Sequence, residues 1–300
     1  MGAASFDFPL RLGFGCSGAW GQRWFDERQA RAVLARAIER GVRCVDTAGF
    51  YAGGEAERRL GVVLRDLRAS VFVSTKTGTR YESSGARKDF SEAAIRADVS
   101  ASLQRLHCER LDLLYLHGPS STELAQSLPA LARLREEGKI ARWGVCGEGR
   151  GLEEAVEAGA DAIMGVYNFL NRRHAPVFAK AKAHGLGVVA IAPLAQGLYR
   201  RGFFEAGSAA DLWRIARALL KNREELARAR AARPILEAIE GYSPAQAALA
   251  FVHANPDIDV AVTTTTSLGR LEETLVGVRK VPPADLVRAL SDLDAYRAEP

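Results

Sequence analysis

The sequence predicts a single (β/α)₈ barrel, and three observations support this fold class. Short apolar segments alternate with amphipathic helical segments along the whole chain of 300 residues. The apolar segments are nearly continuous, as expected for parallel strands that are covered on both faces. The links are short, and right-handed crossovers close eight such units into a barrel. Barrels reach this length as one unit, so we expect one domain over residues 1–300 with extra helices, one of them C-terminal.

Eight segments are predicted as strands because their apolar residues run on without a helical period and each segment is short. In chain order they are Leu10–Cys16, Val42–Asp46, Val71–Lys76, Leu111–His117, Lys139–Cys146, Ala162–Asn168, Gly187–Ala192 and Ile258–Thr263.

The segments between them carry apolar residues at helical spacing, often with a start or stop signal at the ends. Asp26 is placed to cap the first helix, and Gly41 follows its end. A further charged helix, Leu212–Ala231, follows the seventh strand. The other predicted helices are Asp26–Arg40, Glu55–Leu67, Ser91–Leu106, Glu123–Glu137, Leu152–Ala158, His174–His184, Pro244–Asn255, Gly269–Val278 and Pro283–Arg297.

An open, doubly wound sheet is the alternative architecture. It needs a glycine-rich turn after the first strand, and the run from Gly13 to Gly18 does match Gly-x-Gly-x-x-Gly. The match is weak because no acidic residue ends a second strand about twenty residues later. Asp46 comes too late and belongs to a different motif. The barrel therefore remains the preferred prediction.

The formal net charge of +5 and the sequence pI of about 9.1 suit an anionic small ligand. They do not indicate nucleic acid, because arginines alternate with glutamates along the helical segments and no basic run of five residues occurs. We therefore expect a small-molecule substrate and no nucleic-acid partner. The sequence leaves the oligomeric state open.

Four cysteines, Cys16, Cys44, Cys108 and Cys146, are too few and too dispersed for a disulfide framework, and none has metal-ligand spacing. Residues 1–10 lack the pattern of a secretion signal, and no apolar run is long enough to span a membrane. These features predict a cytoplasmic protein without a metal and without a membrane partner.

Polar side chains gather at one end of the predicted barrel. Asp46, Lys76 and His117 each end a strand, and Tyr51 follows Asp46 on the next loop. Barrel enzymes carry their chemistry at the carboxyl ends of the strands. Any one of these residues alone is as well explained as a strand terminator, but all four at equivalent positions indicate an active site.

These four groups suit proton transfer to a carbonyl oxygen. The phenol of Tyr51 has an ordinary pKa near 10, and the ammonium of Lys76 is expected to lower it. Asp46 would keep Lys76 charged and oriented, and His117 would hydrogen-bond a substrate carbonyl. No side chain supplies a hydride, so a redox reaction at this site requires a cofactor.

The motifs around these residues resemble those of the aldo-keto reductase family. The run Val45–Tyr51 with Gly54-Glu55 resembles the segment that holds the family's catalytic aspartate and tyrosine, while Val73–Lys76 and Leu113–His117 resemble its lysine and histidine strands. The resemblance implies that Asp46, Tyr51, Lys76 and His117 form the catalytic tetrad. Further matches are Gly138–Ile140, Trp143–Val145, Ala192–Leu198 and Ser243–Gln246.

The resemblance also implies a bound nicotinamide dinucleotide. Its expected contacts are Pro193, Leu194, Gln196, Gly197, Thr264, Thr265, Ser267, Arg270 and Glu273. Four positions that grip the nicotinamide in relatives are altered and hold Cys146, Gly147, Met164 and Ile191. Thr264 replaces a basic residue that often meets a 2′-phosphate, yet an arginine such as Arg270 pairs well with phosphate. We expect NADP(H), with NAD(H) as the alternative.

Trp20 and Trp24 follow the first strand and are predicted to line the substrate pocket, with loop packing as the alternative. Three functions remain open from the sequence. The preferred one is an NAD(P)(H)-dependent oxidoreductase that acts on an aldehyde, ketone or sugar, with Tyr51 as general acid and base. The altered nicotinamide positions leave two others, a cofactor-free lyase or isomerase and a regulatory barrel with little redox activity.

Overall fold

The computed structural model describes residues 6–82, 85–207, 209–221 and 223–292. Eight parallel strands close into a barrel in which each strand pairs with the next along the chain and the last pairs with the first, so the predicted fold class is confirmed. The barrel strands are β1 (Leu12–Gly15), β2 (Cys44–Asp46), β3 (Phe72–Thr77), β6 (Leu113–His117), β7 (Trp143–Cys146), β8 (Ala162–Val166), β9 (Gly187–Ile191) and β10 (Val260–Thr263).

Helices surround the barrel. Asp26 caps α1 as predicted, because its carboxylate accepts a hydrogen bond of 2.7 Å from the Gln29 amide. The helices are α1 (Glu27–Glu39), α2 (Glu55–Leu67), α3 (Glu92–Leu106), α4 (Ser121–Glu136), α5 (Arg150–Glu157), α6 (Ala175–Ala183), α7 (Ala209–Lys221), α8 (Arg223–Ala238), α9 (Pro244–His253), α10 (Leu268–Gly277) and α11 (Ala284–Ser291).

The structure differs from the predicted elements in the connections. The charged segment predicted as a helix over Leu212–Ala231 is helical in Ala209–Lys221 (α7) and Arg223–Ala238 (α8), and residue 222 between them lies outside the described residues. The last helix, α11, ends at Ser291, and the part of its prediction beyond residue 292 lies outside the described residues. Seven of the eight predicted strands extend beyond the observed ones at one or both ends, and β3 has the predicted length but lies one residue later in the chain.

An antiparallel ribbon, β4 (Thr79–Glu82) and β5 (Gly85–Lys88), occupies the segment after β3, where no strand is predicted from the sequence. Polar contacts hold it against the barrel. The guanidinium of Arg80 donates to Asp98 on α3 at 2.7 Å, and Lys88 Nζ donates to the Gly118 carbonyl. The sequence of this segment has no apolar alternation that would identify two strands.

The core has two layers. One fills the inside of the barrel and includes Tyr115, Cys146 and Met164, and the larger one lies between the strands and the helices. At the amino end of the strands, Phe6, Phe8 and Phe72 pack edge to face with ring centroids 5.4–6.3 Å apart and cover the interior. No helix in the described residues is both long enough and apolar enough to cross a bilayer.

Prediction: acid lowers the stability of the fold partly through His253. Its ring nitrogen Nε2 contacts the Arg11 carbonyl at 3.0 Å, and burial with the nearby Arg11 lowers its pKa to about 4. The unfolded chain takes up this proton near pH 6.5, whereas the folded chain does so only near pH 4. The free energy of unfolding therefore falls between these values, by about 2 kcal/mol from this residue at pH 4.5.

Urea unfolding at pH 7 and pH 4.5 measures this loss. His253→Gln keeps a donor for the Arg11 carbonyl and is expected to lose about 2 kcal/mol less than the wild type on acidification. His184→Gln, at an exposed position, serves as the control and should behave like the wild type. An equal acid loss in the wild type and His253→Gln would contradict the prediction.

Candidate active site

A buried ion pair links the carboxyl ends of β2 and β3. Lys76 Nζ lies 2.5 Å from Asp46 Oδ2 and donates to the Thr47 carbonyl at 2.8 Å, while Ser74 Oγ donates to Asp46 Oδ1 at 2.8 Å. Burial alone lowers the pKa of Lys76, but Asp46 and Tyr51 more than offset this effect and raise it. Lys76 is therefore a permanent cation at this end of the barrel.

Tyr51 faces this cation. It begins the short 3₁₀ turn Tyr51–Gly54 that follows β2, and Lys76 Nζ lies 5.3 Å from the centre of its ring. Burial raises the pKa of Tyr51 to about 12, and the opposing effect of Lys76 is smaller. Lys76 does lower the pKa of Tyr51, as expected from the sequence, but burial raises that pKa by more. Tyr51 is a neutral phenol at physiological pH, in the state of a proton donor.

His117 ends β6 on the same rim. Its Nδ1 lies 3.1 Å from Thr79 Oγ1, and its ring stacks on Phe50 at 4.8 Å with the planes 17° apart. Burial, with the cations Lys76 and Lys88 nearby, lowers its pKa to about 4. The imidazole is therefore neutral at pH 7.

The structure thus brings all four predicted polar groups to the carboxyl end of the barrel, and a cavity opens beside them. The cavity has a volume of about 730 Å³ and extends from Asp46 and Tyr51 to Arg270 and Glu273 on α10. Seven residues predicted to bind the dinucleotide line it, namely Pro193, Leu194, Gln196, Gly197, Thr264, Arg270 and Glu273.

Comparison with known proteins gives the family. The family model described as "Aldo/keto reductase family" matches residues 11–291. The chain belongs to the aldo/keto reductase family. It is therefore an oxidoreductase by family, and the resemblance seen in the sequence is confirmed.

Individual relatives agree with this assignment. D-threo-aldose 1-dehydrogenase from a Pseudomonas species is 32% identical to this chain, over 70% of the chain and 75% of that protein. A "probable voltage-gated potassium channel subunit beta" from Arabidopsis thaliana is 27% identical over 90% and 88%. The structure of aldo-keto reductase AKR11C1 from Bacillus halodurans, in its holo form, matches with a TM-score of 0.78 and 25% identity, covering 95% and 93% of the chains.

Two expected dinucleotide contacts of this aldo/keto reductase lie outside the cavity wall. The Thr265 hydroxyl bonds within its own turn, where it contacts the Ser267 amide at 3.2 Å. The Ser267 hydroxyl caps α10 by accepting from the Arg270 amide at 3.4 Å. Both residues shape the amino end of α10, where orphan amides favour an anion.

The altered nicotinamide positions are divided between the barrel and the cavity. Cys146 and Met164 belong to the apolar interior of the barrel, and Gly147 directly follows β7. Burial raises the pKa of the Cys146 thiol to about 12, so it is not a thiolate at neutral pH. Ile191 ends β9 and lines the cavity. An apolar side chain therefore lines the cavity at the position where the family resemblance led us to expect an aromatic ring.

The two tryptophans do not line this cavity. Trp20 is fully buried, donates from Nε1 to the Ala30 carbonyl at 3.0 Å and packs against Phe14. It is a core residue that ties the first loop to α1, so the expectation of a pocket wall is corrected. Trp24 is 60% exposed and contacts Phe25. The alternative of loop packing describes both residues better.

The sequence reasoning missed several residues of the site. Gly15 at the end of β1, Ser17 just after it and Glu237 on α8 line the cavity, although the sequence analysis gave them no part in the site. Of these residues, only Gly15 and Ser17 could have been predicted, because they lie at the carboxyl end of the first predicted strand, where barrel enzymes carry their active sites. Thr79, which contacts His117, lies in the ribbon that no sequence pattern identified.

Tyr51 is held by an unusual turn above a second buried network. Ala52, Gly53 and Gly54 have φ values of 50°, 65° and 91°, in the left-handed region that favours glycine. Beneath them the fully buried Glu57 accepts from Arg105 Nε at 2.7 Å and from Thr75 Oγ1 at 2.5 Å. The turn and the network together fix the position of the phenol.

Prediction: Gly54→Ala is more damaging than Gly53→Ala. A Cβ at Gly54 would lie 2.9 Å from Arg105 Cδ, whereas at Gly53 it would meet nothing within 4 Å. Gly53→Ala is expected to cost about 1 kcal/mol from its left-handed backbone alone. Gly54→Ala adds the displacement of Arg105, for a total of about 2–4 kcal/mol.

Urea unfolding of both variants checks this difference, and circular dichroism at 25 °C verifies that each is folded. The displacement of Arg105 should also disturb Glu57 and hence the Tyr51 turn, so Gly54→Ala should lose more activity than Gly53→Ala. Equal losses of stability in the two variants would show that Arg105 does not confine the turn.

Proposed function

We propose that this protein is an NADP(H)-dependent oxidoreductase that interconverts a small aldehyde, ketone or sugar carbonyl with the corresponding alcohol. Tyr51 is its general acid in reduction and its general base in oxidation. One observation carries the proposal. A neutral phenol, next to a permanently charged lysine, lies at the inner end of a cavity of about 730 Å³. That combination suits the protonation of a carbonyl oxygen beside a bound cofactor.

The chemistry at Tyr51 follows from its neighbours. The cofactor, when bound, supplies the hydride that reaches the carbonyl carbon. As the carbonyl π bond breaks, Tyr51 gives its phenolic proton to the oxygen, and the product is the alcohol. The tyrosinate left behind lies beside the Lys76 cation, which stabilises it. Asp46 holds Lys76 in place at 2.5 Å, and burial of the pair excludes water that would weaken this attraction.

The residues along the cavity fit a dinucleotide. At the far end Arg270 and the amino end of α10 suit phosphate, by a bidentate guanidinium contact and by orphan backbone amides. Between this end and Tyr51 the wall is formed by the segment from Pro193 to Gly197. The family assignment supports a nicotinamide cofactor. Arg270 supports NADP(H) over NAD(H), because its side chain lines this end of the cavity and an arginine pairs well with a phosphate.

The cavity separates this proposal from the two alternatives. A lyase or isomerase needs the acid and base groups but no second ligand end formed by Arg270 and Glu273, so a cavity that reaches from Tyr51 to these two residues favours a redox reaction. A regulatory barrel would not need Tyr51, Lys76 and Asp46 to remain in proton-transfer geometry. Turnover without any dinucleotide would support the lyase, and dinucleotide binding without turnover would support the regulatory barrel.

Prediction: Tyr51→Phe removes the proton donor and leaves the cavity intact. We expect kcat for NADPH-dependent reduction of an aldehyde panel to fall by about 10²–10⁴-fold, the usual contribution of a positioned general acid. The dissociation constant for NADPH, measured by fluorescence quenching, should stay within about twofold, since the hydroxyl reacts with the substrate. Tyr167→Phe is the control, because Tyr167 packs on Phe251 in the core. Undiminished reduction by Tyr51→Phe would refute the role of Tyr51.

Prediction: Arg270→Gln weakens NADPH more than NADH. Loss of a charge-assisted contact with the 2′-phosphate should raise the dissociation constant of NADPH about tenfold or more and that of NADH by less than about threefold. Arg279→Gln is the matched control, because Arg279 follows the other end of α10 and bonds the Leu275 carbonyl. Equal increases in the two dissociation constants would show that Arg270 does not set the preference for NADPH over NADH. If the wild type binds neither cofactor at millimolar concentration, the redox function is excluded.

A further inference from the structure

Lys88 lies at the rim of the barrel, next to the residue that follows β6. The ribbon pairs Lys88 directly with Thr79, so the two side chains lie on the same face of the ribbon. Thr79 Oγ1 donates to the His117 carbonyl at 3.2 Å, and Lys88 Nζ donates to the carbonyl of Gly118. These two bonds hold the ammonium against the carboxyl end of β6.

The charge of Lys88 is not balanced by the protein. Within the described part of the chain, no carboxylate forms an ion pair with Lys88, and a single main-chain carbonyl uses one of its three ammonium hydrogens. Asp98, the carboxylate that the ribbon contacts on α3, accepts from the guanidinium of Arg80 at 2.7 Å. The side chain of Lys88 is exposed. Its charge and two of its hydrogens are therefore available to a ligand.

The positive charge of Lys88 extends to the catalytic rim. Burial is the main cause that lowers the pKa of His117 to about 4, and the charges of Lys76 and Lys88 add to this effect. Lys76 is paired with Asp46 at 2.5 Å. Of these two cations beside His117, Lys88 is thus the one whose charge a substrate can meet.

Main chain alone forms the rim between the ends of β6 and β7. Gly118 follows β6 and Gly147 follows β7, and a Cβ placed on Gly147 would lie 3.5 Å from Gly118 Cα. A Cβ placed on Gly118 would lie 3.3 Å from Lys88 Nζ. The next residue, Glu148, is paired with Arg173 at 2.6 Å. The two glycines therefore place no side chain next to the ammonium, and the charge of Glu148 is balanced.

The ammonium and the dinucleotide cavity lie on different sides of the rim. In a barrel of eight strands the fourth and the eighth lie opposite each other, and β6 and β10 hold these places. The cavity is lined by Ile191 at the end of β9 and Thr263 at the end of β10, and it reaches Tyr51. With the cofactor on the side of β9 and β10, a substrate whose carbonyl meets Tyr51 has the side of β6 left for its other end.

We propose that Lys88 selects substrates that carry an anionic group, a carboxylate or a phosphate, at the end away from the reacting carbonyl. The proposal rests on the proposed function, because it names the substrate class of the same site. The Lys88 ammonium donates charge-assisted hydrogen bonds to the anionic group, and the carbons in between lie over Gly118 and Gly147. Lys88 takes no part in the proton transfer from Tyr51. Its contribution therefore belongs to KM and not to kcat.

Kinetics with paired aldehydes tests this selection. We compare kcat/KM for reduction of 4-oxobutanoate with that of butanal, and of glyceraldehyde 3-phosphate with that of glyceraldehyde, using the dinucleotide that binds more tightly. The wild type is expected to prefer the anionic member of at least one pair by about tenfold or more. A preference in one pair alone identifies the group as carboxylate or as phosphate, and either result supports the proposal.

Lys88→Gln removes the charge and keeps a donor for the Gly118 carbonyl. We expect it to raise KM for the preferred anionic aldehyde about tenfold and to change kcat/KM for the neutral partner less than about threefold. Lys88→Arg keeps the charge and should keep the preference. Added salt should lower kcat/KM for the anionic aldehyde in the wild type more than in Lys88→Gln, because ions screen an exposed charge.

Lys139→Gln is the matched control, because Lys139 is exposed and precedes β7 at the amino end of the strand. It should leave the preference within about threefold of the wild type. No preference in either pair would overturn the proposal. An equal loss for anionic and neutral aldehydes in Lys88→Gln would overturn it too, since it would indicate a structural role. If Lys88→Gln does not fold, the wild-type preference, its salt dependence and Lys88→Arg decide the question.

Binding without turnover separates this proposal from the proposed function. Succinate is an unreactive analogue of 4-oxobutanoate, and inorganic phosphate stands in for the phosphate group. Calorimetric titration should give a dissociation constant for one of these anions that is about tenfold higher in Lys88→Gln than in the wild type. Equal constants for both anions would overturn the role of Lys88. If no dinucleotide binds and no aldehyde is reduced, the proposed function fails, and the titration still decides whether Lys88 binds an anion.

Discussion

The site depends on the buried ion pair between Asp46 and Lys76. Removing two charges from water is costly, and only close geometry with further hydrogen bonds offsets that cost. Here the distance of 2.5 Å, the Ser74 hydroxyl and the Thr47 carbonyl supply both. The parallel register of β2 and β3 sets Asp46 directly beside Ser74 and so fixes the pair. Without it Lys76 would lose its proton or its position, and Tyr51 would lose the charge that stabilises its anion.

A second buried network supports the first from behind. Glu57, which is fully buried, joins Arg105 on α3 to Thr75 on β3, and Thr75 is the residue before Lys76. The turn that carries Tyr51 lies against Arg105, as the space around Gly54 shows. The two networks therefore meet at the adjacent residues Thr75 and Lys76, and the turn that carries the phenol packs against the second network. Such networks add rigidity when every member is bonded, which suits a site that transfers a proton over a fixed distance.

The dinucleotide side of the site is built differently from the rim. The positions that hold Cys146 and Met164 belong to the close-packed interior of the barrel, where apolar side chains and a neutral thiol are stable without polar partners. Ile191 adds an apolar surface to the cavity. Polar groups are retained at the far end, at Arg270 and the start of α10. Under the proposed function, these residues would anchor the cofactor mainly at its phosphate end, and packing would shape the nicotinamide end.

The sequence by itself determined the eight strand–helix units, the closure of the barrel and the meeting of Asp46, Tyr51, Lys76 and His117, because strand ends in a parallel barrel share one rim. Tertiary structure decided what depends on contacts between distant segments. It placed Trp20 in the core, formed the ribbon that brings Thr79 to His117, and set the pKa of Tyr51 through burial more than through Lys76. Burial and hydrogen-bond partners are properties of the folded chain, and a local sequence pattern does not contain them.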